Sequence, residues 1–159
     1  MSAAGPEPES PEPAGHEPVS VRRATAAAAM DVLAWRNDPH TRAMSRDTGA
    51  VDEAAHLAWF AAALADPRRM LLIGEAGGAK VGMVRFDHAD ETEVSINLAP
   101  EQRGRGLSRP LLMAALAEVG GEVWAEVREA NATSVRLFEG AGFQLQGRRD
   151  DIRRYRRPG

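Results

Sequence analysis

The chain has 159 residues, 43% of them apolar and 27% charged, with 20 basic against 23 acidic side chains and no cysteine. Domains most often run to about 100–150 residues, so one domain with a genuine hydrophobic core is expected, without disulfide or metal staples. Lack of cysteine excludes a disulfide framework, a zinc–thiolate centre, a thiol nucleophile and an iron–sulfur cluster, and a net charge of −3 argues against a dedicated nucleic-acid binder.

No apolar run approaches the ~18–20 residues that cross a bilayer. The opening MSAAGPEPES carries neither a basic region nor an apolar stretch of the secretory kind, so a soluble, cytoplasmic protein is expected. Residues 1–18 hold five of the ten prolines and four glutamates, with almost nothing to bury. Such a stretch does not offset the entropy of ordering, and it reads as a disordered tail ahead of a single domain over 19–159.

From Val19 the pattern becomes structured. VSVRRA reads as a short strand, and Thr25 is placed to cap a helix whose apolar positions are Met30, Leu33 and Ala34. That helix should stop near Asn37, because Pro39 disfavours helical geometry at Asp38. Asp52 caps a second helix with His56, Leu57, Phe60 and Leu64 along one stripe, ended by Pro67. MLLIGEA, the Gly77-Gly78 turn and KVGMVRFD form a hairpin. EVSINLA follows, alternating Val94, Ile96 and Leu98 with Glu93, Ser95 and Asn97, and Pro100 closes it. A glycine-rich loop then enters the amphipathic helix of RGRGLSRPLLMAALAEV. EVWAEV is a further strand, NATSVRLFEGAG a helix closed by Gly142, and FQLQGRRDDIRRYRR a closing hairpin whose Arg-rich half reads as a solvated edge. A helix between two strands makes them parallel, whereas the earlier strands pair antiparallel. The fold class is therefore α+β: a mixed, mostly antiparallel sheet with helices on both faces.

The most informative stretch runs from Leu98 to Leu112. Arg103, Gly104, Arg105 and Gly106 stand between a strand end and a helix start, where unpaired N–H groups and a positive dipole end favour an anion. Taken alone, Arg-Gly-x-Gly is equally a tight strand-to-helix turn. It matches neither GxxxxGK[ST] nor GxGxxG, because Ser108 and Arg109 follow Leu107. Downstream, Asn131 and Ser134 share a face at a helix start, where Asn131 also reads as a plain N-cap.

INLAPEQRGRGLSRPLL and NATSVRLFEGAGF, in this order and spacing, resemble the GNAT superfamily of acyl-CoA-dependent N-acetyltransferases over roughly residues 19–147. The resemblance implies acetyl-CoA as co-substrate, no metal, and a sheet with one splayed parallel pair. It implies that the loop of Arg103, Gly104, Arg105, Gly106, Leu107, Ser108 and Arg109 holds the CoA diphosphate through backbone amides. Asn131, Ser134 and Phe138 would lie along the pantetheine arm, and the Leu98 amide would hold the thioester carbonyl. Many members carry a tyrosine, the leaving-group acid, where this chain has Phe138; Ser95 or solvent would then supply the proton. Ser108 replaces a usual Gly or Ala. Glu93, the ionisable member of its strand face, is the candidate base, acting through water, and it reads equally as a solvated glutamate at a strand end.

WRNDP, HLAWF and VGMVRFD further resemble the pseudaminic-acid pathway aminosugar N-acetyltransferases, which acetylate the 4-amine of a UDP-linked dideoxy-aminosugar. By that resemblance Arg36, His56 and Arg85 face a nucleotide sugar, whose diphosphate suits the arginine fork. Plainer readings take Trp35, Trp59 and Phe60 as core and His56 as a satisfied packing histidine, while Arg85, a charge on a strand rich in Val and Met, needs a partner. Other acceptors that fit the same chemistry are a protein N-terminus or an antibiotic amine, and Phe138 also fits a CoA-binding regulatory domain without turnover. The chain is expected as a monomer or homodimer with no nucleic-acid or membrane partner.

Overall fold

The computed structural model describes residues 18–44 and 49–159. The chain runs β1 (Ser20–Arg23), a 3-10 turn at Ala26–Ala28, α1 (Ala29–Arg36), α2 (Pro39–Met44), α3 (Glu53–Ala65), β2 (Arg69–Ala76), β3 (Ala79–His88) and β4 (Thr92–Leu98). A second 3-10 turn at Pro100–Gln102 leads to α4 (Ser108–Leu116), β5 (Val123–Arg128), α5 (Ala132–Gly140), β6 (Gln144–Arg149) and β7 (Ile152–Arg157). The strands form one sheet in the order β1-β2-β3-β4-β5-β7-β6. Every neighbouring pair is antiparallel except β4 with β5. This is the expected mixed sheet with helices on both faces. The proline- and glutamate-rich tail lies outside the described residues but for Pro18.

Period-two alternation sorts side chains onto two cores. Leu72, Val84, Phe86, Val94 and Ala125 pack under α4 and α5, and Leu71, Ile73 and Met83 pack under α1 and α3. Because β2 is covered on both sides, MLLIG is apolar without a break. Gly77 and Gly78 turn the β2–β3 hairpin with φ of 58° and 81°, the left-handed pair that a two-residue hairpin turn requires.

Several local expectations need correction. Thr25 occupies the cap position with extended backbone but makes no side-chain cap bond. The buried face of α1 is Ala29, Val32, Leu33 and Trp35, preceded by Ala28, while Met30 is 50% exposed and Ala34 faces solvent. In α3, His56, Phe60 and Ala63 are buried, whereas Leu57 is exposed. The expected stop at Asn37 holds, with its N–H bonded to Leu33 O at 3.0 Å. A new short helix, α2, starts at once, since Pro39 stands at its first position, where no N–H is needed. Asp52 caps α3 as expected, accepting from Ala55 N–H at 3.0 Å.

At the C-terminus, β6 is exposed along its length and forms the sheet edge. β7 does not: it sits between β5 and β6, with Tyr155 fully buried. Its arginines are met by carboxylates, Arg153 by Glu129 and Glu139 (both 3.7 Å) and Arg154 by Glu91 and Glu126. That pairing accounts for the Arg-rich tail as structure.

Candidate active site

The parallel pair is open at one end. β4 and β5 have a single paired position, Glu93 with Trp124, yet the strands continue to Leu98 and Arg128. A cleft of about 610 Å³ occupies the gap and reaches both faces of the sheet. On the α4/α5 side it is lined by Gly104, Ser108, Asn131, Ser134 and Phe138; on the α1/α2 side by Arg36, Thr41, Arg85, Glu93 and Ser95, with Arg103 reaching from the loop to Thr41 of α2.

Strand geometry aims the amide at the end of β4. Ala99 N–H donates to Val81 O at 2.7 Å, which makes that couple hydrogen-bonded and the next couple, Gly82 with Leu98, not. Alternation therefore turns the Leu98 N–H away from β3 and toward the gap. Gly82 permits the close approach here, because a Cβ on it would lie 2.3 Å from Asn97 O and 2.9 Å from Leu98 Cα.

The mouth beside Leu98 has the form an anion needs. Gly104 and Gly106 take φ of 75° and 71°, a region other residues enter at a cost. A Cβ on Gly104 would meet nothing within 4 Å, so the loop surface there is open to an approaching group. Leu107, at the cap position of α4, makes no side-chain cap bond. The first-turn N–H groups and the dipole are left for a ligand. Pro110 lies within that first turn, where its missing N–H costs nothing. These features fit the diphosphate of CoA.

Other members of the loop point elsewhere. Arg105 donates to Gln102 Oε1 at 3.0 Å, and Leu107 is buried in the core. Arg109 reaches α5, its Nη1 3.2 Å from where a Cβ on Gly140 would stand. None of these three lines the cleft, and neither does Gly106. Asn131 is an N-cap after all, its Oδ1 accepting from Ser134 N–H at 3.1 Å, and it lines the cleft as well.

On the opposite side, Arg36 and Arg85 place their guanidinium carbons 5.1 and 5.4 Å from the centre of the Trp59 ring. Arg85 Nε also donates to Asp87 Oδ2 at 3.0 Å. Register puts Arg85 opposite Ser95 and Asp87 opposite Glu93, so all four share this face. His56 must be taken out of the set. Its side chain is wholly buried, its Nε2–H donates to Ala29 O at 2.8 Å, and it packs against Trp59 and Phe60. Without exposure it contacts no acceptor.

Tyr155 does not replace the tyrosine missing at Phe138. Its hydroxyl donates to Glu139 Oε2 at 2.8 Å and accepts from Arg153 Nη1 at 3.1 Å, and burial pushes its pKa up. Phe138 packs edge-on against Phe143, ring centres 5.0 Å apart, with its other side on the cleft.

Sequence reasoning missed one wall of the site. His40, Thr41 and Met44 of α2 line the cleft, as do Glu126 and Arg128 of β5. Asp38-Pro39, a capping residue before a proline, was a legible helix start. Glu126 and Arg128 alternate with buried Ala125 and Val127, which places them on the Glu93–Ser95 face.

A parallel pair open at one end, an amide aimed into the gap and an uncapped helix start beside two left-handed glycines fit an acyl-CoA-dependent transferase. Residues 29–143 match the model of the Acetyltransferase (GNAT) family. An uncharacterised N-acetyltransferase of Mycobacterium tuberculosis (strain ATCC 25618 / H37Rv) is 31% identical over 106 residues, 62% of this chain and 68% of that protein. The N-alpha-acetyltransferase RimI of the same strain is 36% identical over 101 residues, 59% of this chain and 62% of that one. In fold, the chain superposes on spermidine N-acetyltransferase from Vibrio cholerae, solved with CoA and spermine, at a TM-score of 0.76 and 17% identity, covering 87% of this chain and 94% of that one. The chain belongs to the GNAT family: it is an acetyl-CoA-dependent N-acetyltransferase acting on amines.

Proposed function

We propose that the acceptor is an amine on an anionic carrier, a nucleotide-linked dideoxy-aminosugar acetylated on its 4-amine. The observation that carries this reading is the pair of guanidinium groups, Arg36 and Arg85, on the Trp59 ring at the acceptor side of the cleft. Arginine offers a diphosphate two parallel N–H donors, and the indole holds the fork in place.

Acetyl-CoA supplies an activated thioester carbonyl. In this proposal Glu93 draws the proton from the acceptor ammonium through water, and the Leu98 N–H stabilises charge as it grows on the carbonyl oxygen. Ser95, on the same strand face as Glu93, relays a proton from solvent to the departing sulfur, regaining at its hydroxyl the one it gives. A thiol pKa of about 8.5 makes the thiolate a tolerable leaving group without a tyrosine at Phe138.

A second reading has its own observation. Glu93 and Glu126 line the cleft and also, with Asp90, Glu91 and Arg154, an adjoining hollow of about 260 Å³ in which Arg154 pairs with Glu91 and Glu126. Carboxylates there favour a polycationic amine or a protein N-terminus. Kinetics of two variants separate the readings. For the nucleotide sugar, Arg85→Ala raises KM about tenfold and Glu126→Gln leaves it alone. A polycationic acceptor reverses the pattern, and an unchanged KM for the nucleotide sugar in Arg85→Ala removes it as acceptor.

A further inference from the structure

WRNDP, Trp35 to Pro39, lies at the junction of the two halves of the site. Trp35 is buried in the core under α3 and Arg36 enters the acceptor cleft. Asn37 grips the backbone of Val51 in both directions, Nδ2 donating to Val51 O at 2.9 Å and Oδ1 accepting from Val51 N–H at 2.8 Å. This two-way amide pairing anchors the residue before Asp38 across a separation of fourteen positions.

Asp38 then does two things with one atom. Its Oδ2 accepts from Thr41 N–H at 3.1 Å, capping α2, and also accepts from Nη2 of Arg103 in the donor loop. The Thr41 hydroxyl closes the triangle, accepting from Arg103 Nη2 at 2.9 Å and donating to Asp38 Oδ2 at 3.4 Å. A guanidinium Nη carries two N–H groups, and both on Nη2 are used. Among the described residues Nε and Nη1 of Arg103 have no partner, and the side chain lines the cleft.

We propose that Asp38 is a positioning residue for the donor: it holds Arg103 by Nη2 alone, so that the remaining N–H groups face the diphosphate of acetyl-CoA before it arrives. The inference rests on the reading of the Arg103–Ser108 loop as the diphosphate cradle. A long side chain ordered during folding does not have to be ordered during binding, which is how a carboxylate that never touches the ligand raises affinity for it. The anchor also ties α2, a wall of the acceptor cleft, to the loop that holds the donor. In the free protein Asp38 is ionised through the neutral range, the Arg103 hydrogen bond keeping its carboxyl below the ordinary value.

The test separates orientation from folding. Asp38→Asn keeps a side-chain oxygen for the Thr41 N–H, as asparagine is among the best N-caps, but loses the charge that holds Arg103. Asp38→Ser does the same with a different cap and guards against a misfolded variant. Steady-state kinetics are measured with acetyl-CoA and with S-acetyl-pantetheine, which lacks the diphosphate. Both variants are expected to raise the acetyl-CoA KM about fivefold, with kcat changed less than about twofold and the KM for S-acetyl-pantetheine unchanged. In an Arg103→Ala background, Asp38→Asn adds nothing further. Equal KM increases for both donors, or none for either, overturn the proposal. If the wild-type enzyme uses the two donors with the same KM, the diphosphate reading of the loop fails and this inference falls with it.

Discussion

The donor mouth and the acceptor side of the cleft are built on different principles. At the proposed donor mouth the groups on offer are backbone: the Leu98 amide, two glycines in left-handed conformation and the uncapped first turn of α4 all lie within Leu98–Leu111. On the proposed acceptor side they are side chains, drawn from α1 (Arg36), α2 (Thr41), β3 (Arg85), β4 (Ser95) and β5 (Glu126). A contiguous backbone cradle constrains which residue types stand in a row. A wall assembled from five elements constrains none of its members to be near another in sequence. Under the proposed assignment, the donor half would serve different acceptors unchanged, while the acceptor half could vary one side chain at a time.

Three perturbations would break or sharpen that contrast. The largest effect is expected from Gly82→Ala. Its Cβ would stand 2.3 Å from a backbone oxygen of β4, so the strand itself must move. Overpacking of this kind costs about 1–3 kcal/mol, and the shift misaims the Leu98 N–H. Urea denaturation should show the loss of stability, and kcat should fall for every acceptor tried. A drop confined to one acceptor would contradict the assignment of Leu98 to the donor half.

Gly104→Ala comes next. There is room for the methyl group but not for an unstrained backbone at φ of 75°, a penalty of about 1 kcal/mol. Calorimetric titration should show weaker CoA binding, and kinetics an acetyl-CoA KM that rises while the acceptor KM stays. If the acceptor KM rises as much, the two halves are not separable in the way described.

The smallest effect is the response to acid. Hydrogen bonding holds three carboxyls below their ordinary values: Asp38 by Arg103, Asp66 chiefly by the Arg68 N–H, and Glu122 by Arg156 and then Trp124. A depressed folded-state pKa contributes stability that is complete above the unfolded-state pKa and is lost as pH falls through the folded one. Thermal melting should accordingly be flat from neutral pH to about 5 and decline below about 4. Asp38→Asn should blunt the decline, and a melting temperature already falling between pH 7 and 6 would assign acid sensitivity to other groups.

Much of the architecture was readable one element at a time. The β2–β3 hairpin followed from Gly77-Gly78 between apolar runs, β4 from its alternation, and the parallel pairing from the helix that joins β4 to β5. α1 was placed correctly but rotated wrongly: Met30 and Ala34 fit a helical stripe as well as Val32 and Trp35 do, and only the position of α3 decided which stripe was covered. His56 was misassigned for a related reason. Its place on the apolar face of α3 was legible, but burial against Ala29 O depends on α1, a separate element.

Local sequence determined the donor mouth, because glycine conformation, the strand end and an uncapped helix start are properties of consecutive residues. Tertiary packing alone decided the acceptor wall, the fate of Tyr155 and the Asp38–Arg103 contact. The last joins residues 65 positions apart, and such long-range pairs arise only when separate elements fold onto one sheet, leaving no periodicity or spacing in the chain to announce them.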